Sequence, residues 1–253
     1  MQMHGSLTLI FVISSVFSLS RAEERIVGGT VTQIASSPYI VSMSNNGVYY
    51  CAGTLLSMQH LITAANCVVG VPIAQILVKA GRTNLNETGR QSRRVIQSFY
   101  PKTYNAKTRF MDIGGMKLQI PFNPTQRVGF APRCSSSLAV GTQLRVSGWG
   151  STNEGSTTSV ANLQSVSVPI VNLQNCANQY QTVMIGIPTT SLCAGNGNGD
   201  ACSLDTGGPG IVNGQLCAVV SFGFGCNRPN FPGVYTNLMN AEVQRFVTNF
   251  LAL

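Results

Sequence analysis

Proton transfer near neutral pH rests most often on histidine, and this chain has two, His4 and His60. Its aspartates are Asp112, Asp200 and Asp205. Hydrolysis by a serine or threonine hydroxyl needs a base beside the nucleophile and a carboxylate behind the base. Carboxylates are present for that role; a base is the scarce part. Eight cysteines stand at positions 51, 67, 134, 176, 193, 202, 217 and 226. An even number reads as four bridges made in an oxidising compartment. No tight CxxC pair points to zinc, so neither a metal nor another cofactor is expected.

The first 22 residues stand apart from the chain that must position these groups. Leu7 to Leu19 is an apolar run of 13 residues, too short to span a bilayer and suited to the core of a signal peptide over 1–22. A short stretch, 23–25, then leads to Ile26. No later stretch is long and apolar enough for a membrane anchor, so a secreted, extracellular product is expected. After Ile26, short runs of β-type residues are separated by Gly, Asn, Pro and Ser. They fall at 39–44, 49–57, 75–80 and 95–99, then at 142–147, 163–168, 210–212, 216–222 and 233–236. Asn123 to Gly141, rich in Pro, Ser and Gly, reads as a connector. One segment has a convincing helical period: Val243, Phe246, Val247, Phe250 and Leu251 share a face. Asn240 can cap it, with Glu242 in the first turn. Many short strands and one terminal helix imply an all-β fold of packed barrels or sandwiches. Charge is sparse, at 9% of residues, and the balance is +8. Arg90, Arg93 and Arg94, with Arg82 nearby, are either a candidate polyanion contact or a solvated basic surface. Nucleic acid is not the expected partner. Asn86-Glu87-Thr88 is a glycosylation sequon, with Asn86 the acceptor.

Four motifs in order carry a resemblance: IVGG (26–29), TAANC (63–67), the aspartate of DIGGMKL (112–118) and DACSLDTGGP (200–209). SGWG (147–150), SFGFGC (221–226) and FPGVYT (231–236) support them. Across 26–253 the chain resembles the trypsin-like serine proteases. That implies two six-stranded antiparallel barrels, about 26–130 and 131–239, with a helix over about 240–251 and the site in the crevice between barrels. TAANC resembles the family's TAAHC, so Asn66 stands where the base is expected. LDTGGP resembles GDSGGP, so Thr206 stands where the nucleophile is expected. Asp112 matches the aspartate that orients the base. Leu204 stands where a glycine gives its N–H to the oxyanion hole, and a Cβ disfavours the positive φ that glycine accepts there. An asparagine amide does not take and return a proton near neutral pH. His4 leaves with the signal peptide, and His60 reads as a packed strand residue. The expectation is a pseudoprotease with the degenerate triad Asn66, Asp112 and Thr206, since losing triad members costs on the order of 10⁴ to 10⁶ in turnover.

The same resemblance assigns further residues. Arg25-Ile26 looks like the activation cleavage site, after which the Ile26 ammonium would pair with Asp205; an uncleaved chain with Asp205 otherwise satisfied is the alternative. The Asn66 amide and the Ser221 hydroxyl are expected to donate to Asp112, because a buried carboxylate needs donors. Asp200 matches the base of a pocket for Arg or Lys, and Gly223 and Gly233 match the glycines that leave it open. Phe222 replaces the usual tryptophan and Phe224 stands near the mouth, so retained arginine binding and a blocked pocket both remain open. Gly114-Gly115 departs from the family's larger apolar residues and has no functional account. Implied disulfides are Cys51–Cys67, Cys176–Cys193 and Cys202–Cys226. Cys134 and Cys217 fall on no obvious family pair; they bond to each other by elimination or remain two free thiols. More narrowly, the chain resembles mite group 3 allergen proteases and the inactivated scabies mite paralogues related to them. This implies a decoy, inhibitor or regulator that meets host complement or plasma proteins. Two rivals stay open: residual hydrolysis by Thr206 with an Arg or Lys preference, and polyanion binding.

Overall fold

The computed structural model describes residues 29–88, 90–197 and 199–253. The signal-peptide segment, Arg25 and Ile26 lie outside the described residues. After a short strand β1 (Thr30–Val31), six strands close the first barrel: β2 (Ile40–Asn45), β3 (Val48–Leu55), β4 (His60–Thr63), β5 (Ile76–Ala80), β6 (Gln91–Phe99) and β7 (Gly114–Leu118). Their order around the barrel is β2-β3-β4-β7-β6-β5. Strand periodicity sets its lining: along β5, Ile76, Val78 and Ala80 are buried while Leu77 and Lys79 are half-buried.

The second barrel is built from β8 (Gln143–Gly148), β9 (Gln164–Val171), β10 (Ser191–Ala194), β11 (Pro209–Val212), β12 (Gln215–Phe222) and β13 (Gly233–Asn237). They run β9-β10-β13-β12-β11-β8, and pairing of β8 with β9 closes the ring. All ladders in both barrels are antiparallel. The first described strand and the terminal helix each cross to the other barrel. Strand β1 pairs with β9, Thr30 opposite Ser165. The terminal helix α2 (Ala241–Leu251) follows the second barrel but buries Val243, Val247 and Phe250 in the core of the first. Asn240 caps it as expected, its side chain accepting from the N–H groups of Glu242 and Val243 at 3.0 and 3.4 Å.

That helix and the 64–68 turn together account for the double glycine. A Cβ on Gly115 would lie 2.8 Å from the Phe250 ring, and one on Gly114 would lie 2.7 Å from Val68 Cγ2. Two bare backbone positions let α2 and the 64–68 turn lie directly on β7. A second helix, α1 (Leu173–Gln181), has no counterpart among the sequence expectations. It buries Cys176 and Tyr180 alone, too narrow an apolar face to register as a helical period. It is instead held by the Asn172 cap and the Cys176–Cys193 bridge. All three implied disulfides form. Cys134 and Cys217 are bonded, with Cα atoms 4.7 Å apart, rather than free thiols.

Candidate functional site

Three elements meet at Asp112. Strand β4 feeds the turn that carries Asn66, β7 begins just after Asp112, and Ser221 stands near the end of β12. Asp112 is fully buried. Ser221 Oγ donates to its Oδ2 at 2.6 Å, as expected. The Asn66 contact differs from expectation: the donor to Oδ1, at 2.9 Å, is the backbone N–H, while the Asn66 residue is exposed. The turn already points an N–H at the carboxylate, so the amide is not needed there. Arg109 is the cation nearest this group, its Nη1 4.0 Å from Oδ2 and donating to the Tyr104 hydroxyl at 3.3 Å. Arg109 and Met111 have φ of 59° and 54°, a conformation that non-glycine residues rarely take. Burial raises the Asp112 pKa, and the Ser221, Asn66 and Arg109 contacts pull against it.

Thr206 and Leu204 sit on a turn tied to β3. The Thr206 carbonyl accepts from the Ala52 N–H at 3.0 Å, and the Leu204 carbonyl accepts from the Tyr49 hydroxyl at 3.0 Å. Leu204 has φ of 73°, the left-handed conformation that a glycine would take without strain. For a branched side chain this costs roughly 1–2 kcal/mol. Asp205 between them is fully buried and accepts from the N–H groups of Gly150 and Cys202 at 2.8 and 3.0 Å. Burial pushes its pKa up to about 6.

Asn66, Thr206 and Ser221 open onto a cavity of about 420 Å³ whose walls include Asp200, Gly223 and Gly233. Asp200 is 3% exposed and accepts from the Ala201 N–H, from the Asn227 N–H at 3.3 Å and from the Tyr235 hydroxyl at 3.5 Å. Burial pushes its pKa up to about 7. A Cβ on Gly233 would approach Asp200 Oδ1 to 2.5 Å, whereas one on Gly223 meets nothing closer than 3.3 Å. Phe224 does not line the cavity. Its ring packs 4.8 Å from Phe231, and the Arg228 guanidinium lies 4.8 Å over it. Phe222 does line the wall and meets Tyr180 edge to face. An ion pair of Glu154 with Arg228 ties two loops at the rim. A buried carboxyl lining an open cavity is suited to receive a cation.

His60 lies elsewhere. Its Nδ1 is 2.9 Å from Ser57 Oγ, and its ring stands edge-on to Phe250 at 5.5 Å. Burial, then Lys117, lower its pKa. Of the basic residues, Arg82 and Arg90 both contact Glu87 and line one shallow cavity with Lys79. Arg90 pairs with Glu87 at 2.7 Å, and Arg93 lies 4.9 Å over the Phe122 ring. Arg94 is exposed, and as the next strand residue it faces the opposite side from Arg93. Asn86 is exposed. Arg109 was missing from the sequence-level candidates; it has no motif of its own, and its role comes from a contact three residues along a distorted turn. Tyr49 was missed as well, since its partner Leu204 lies 155 residues away.

Two packed six-stranded barrels with these groups in the crevice define the two-barrel serine-protease class. The chain belongs to the trypsin family, whose description matches residues 26–243. It is 33% identical to trypsin beta of Drosophila erecta over 91% of this chain and 90% of the relative. It is 34% identical to trypsin alpha of Drosophila melanogaster over 87% and 86%, and 36% identical to a trypsin of Xenopus laevis over 86% and 88%. No described helix is long and apolar enough to cross a membrane, and four disulfides fit an oxidising compartment.

Proposed function

We propose that this trypsin-family chain is a secreted, proteolytically inert protein that acts by binding other proteins through its cleft. The observation that carries the reading is the placement of His60. A general base must come within hydrogen-bond reach of the proton it takes. His60 is instead held by Ser57 and Phe250, with burial disfavouring its charged form. Asn66, at the position matching the base, has no proton-accepting nitrogen. Thr206 then remains a neutral hydroxyl, which is a weak nucleophile without an adjacent base. Leu204, whose N–H would face a developing oxyanion, holds a left-handed φ of 73° that a side chain disfavours. The cavity at Asp200 supports retained ligand binding without chemistry. Complement components are the partner class that the narrower resemblance implies.

The test is a comparison of the wild-type chain with the triple variant Asn66→His, Thr206→Ser, Leu204→Gly, both cleaved after Arg25 and offered arginine and lysine chromogenic esters. The wild type should show no turnover above buffer, and the triple variant should gain at least about 10³-fold. Wild-type turnover that rises no further in the variant would favour residual hydrolysis by Thr206 instead.

A further inference from the structure

A second cavity, about 880 Å³, lies beside the first, between the 103–110 and 184–189 segments. Arg109 and Phe222 line both cavities and form the wall between them. Two features of its lining stand out. Lys107 and Arg109 contribute positive charge, and no carboxylate lines this cavity. Met184, Ile185 and Ile187 contribute an apolar side, and Met184 is 95% exposed at φ of 60°. An exposed, unbranched thioether is an adaptable surface for apolar side chains.

We propose that this cavity is a subsite for an acidic segment of a partner protein, one in which a carboxylate neighbours an apolar side chain. This rests on the reading of the cleft as a binding site and names its partner's chemistry. Charge complementarity selects the occupant: two cations with no facing acid favour a carboxylate and repel a basic side chain. Arg109 has donors to spare. Both of its contacts, to Asp112 Oδ2 and to the Tyr104 hydroxyl, use Nη1. A guanidinium carries five N–H donors, so Nε and Nη2 remain for a two-pronged contact with a carboxylate. Asp112 does not neutralise it fully, being 4.0 Å away and already accepting from Ser221 and the Asn66 N–H. Lys107 is exposed and forms no ion pair among the described residues. The apolar side formed by Met184 and Ile187 would cover the neighbouring residue of such a segment. The two cavities thus differ in sign, with Asp200 in one, Lys107 in the other and Arg109 in the wall between them.

Fluorescence anisotropy with two peptides tests this: acetyl-Leu-Glu-Ser-Arg-amide and its Gln counterpart, labelled identically, with the arginine giving both the same anchor at Asp200. The Glu peptide should bind about tenfold tighter at low salt, with the difference shrinking as salt rises. Arg109→Gln should abolish the difference and Lys107→Gln should reduce it, while both variants keep the wild-type melting temperature within a few degrees. The Lys107 variant covers the case in which loss of Arg109 disturbs the turn above Asp112. Equal binding of the two peptides, a preference surviving both substitutions, or no binding of either peptide would overturn the acidic subsite. Cleavage of the peptides, read by mass spectrometry, would instead sink the inert-cleft reading and leave the subsite to be judged by the Glu-to-Gln ratio.

Discussion

Asp112 and Asp200 are both buried carboxylates at the same crevice, yet their surroundings assign them different work. Asp112 accepts a 2.6 Å bond from Ser221 and a 2.9 Å bond from a backbone N–H, with Arg109 beyond. Its capacity is spent on holding β12, the 64–68 turn and the Arg109 turn together. Asp200 accepts from the Ala201 N–H and through longer contacts of 3.3 and 3.5 Å, and it lies against open space. Burial dominates there, and its pKa rises to about 7. A carboxylate bound by a short hydroxyl contact and faced by a cation holds structure together, whereas one facing a cavity without a cation beside it is available to a ligand. Under the proposed reading, the end of the cleft matching the catalytic machinery serves the first use and the end matching the specificity pocket serves the second.

Benzamidine, a small permanent cation at working pH, probes that contrast most strongly. Asp200→Asn should weaken its binding at least thirtyfold, about 2 kcal/mol, the lower end for losing one partner of a buried charge pair. Asp112→Asn should leave benzamidine affinity nearly unchanged while lowering thermal stability. The pH dependence follows from the sign of the Asp200 shift. Below about pH 7 its carboxyl is neutral, so cation binding must first release a proton. Affinity should therefore rise with pH, by up to about tenfold per unit, and level off above 7. Calorimetric titration from pH 5.5 to 8.5 reads this directly; a flat profile would mean that the pocket carboxylate is not the receptor.

A smaller effect tests the packing that keeps His60 where it is. Gly115→Ala should cost about 1–3 kcal/mol, because its Cβ would press on the Phe250 ring. Combining it with Phe250→Leu should recover part of the loss, a coupling that denaturant melts of the single and double variants measure. Strict additivity would show that β7 and α2 do not depend on bare backbone at this position.

What the sequence made legible was whatever depends on local chemistry or on motif spacing. The α2 stripe and its Asn240 cap follow from helix periodicity, and the bond from Ser221 to Asp112 follows from the need of a buried carboxylate for donors. The left-handed φ of Leu204 was foreseeable because a glycine was expected in its place. Contacts set by distant parts of the chain were not legible. The Asn66 donor proved to be backbone, because the turn geometry rather than the residue type presents the N–H. Phe224 is drawn off the pocket by Phe231 and Arg228, and Gly115 of β7 awaits a helix more than 100 residues later. Helix α1 shows too little apolar face to announce itself.

The central claim is that the Thr206 hydroxyl has no base to activate it, and covalent chemistry at that oxygen tests it most directly. Protein cleaved after Arg25 is incubated with an arginine-like phosphonate ester directed at serine proteases, and its intact mass and peptide map are measured. The account predicts an unmodified chain at times when the triple variant is fully labelled. Stoichiometric phosphonylation of wild-type Thr206 on the variant's timescale would contradict it.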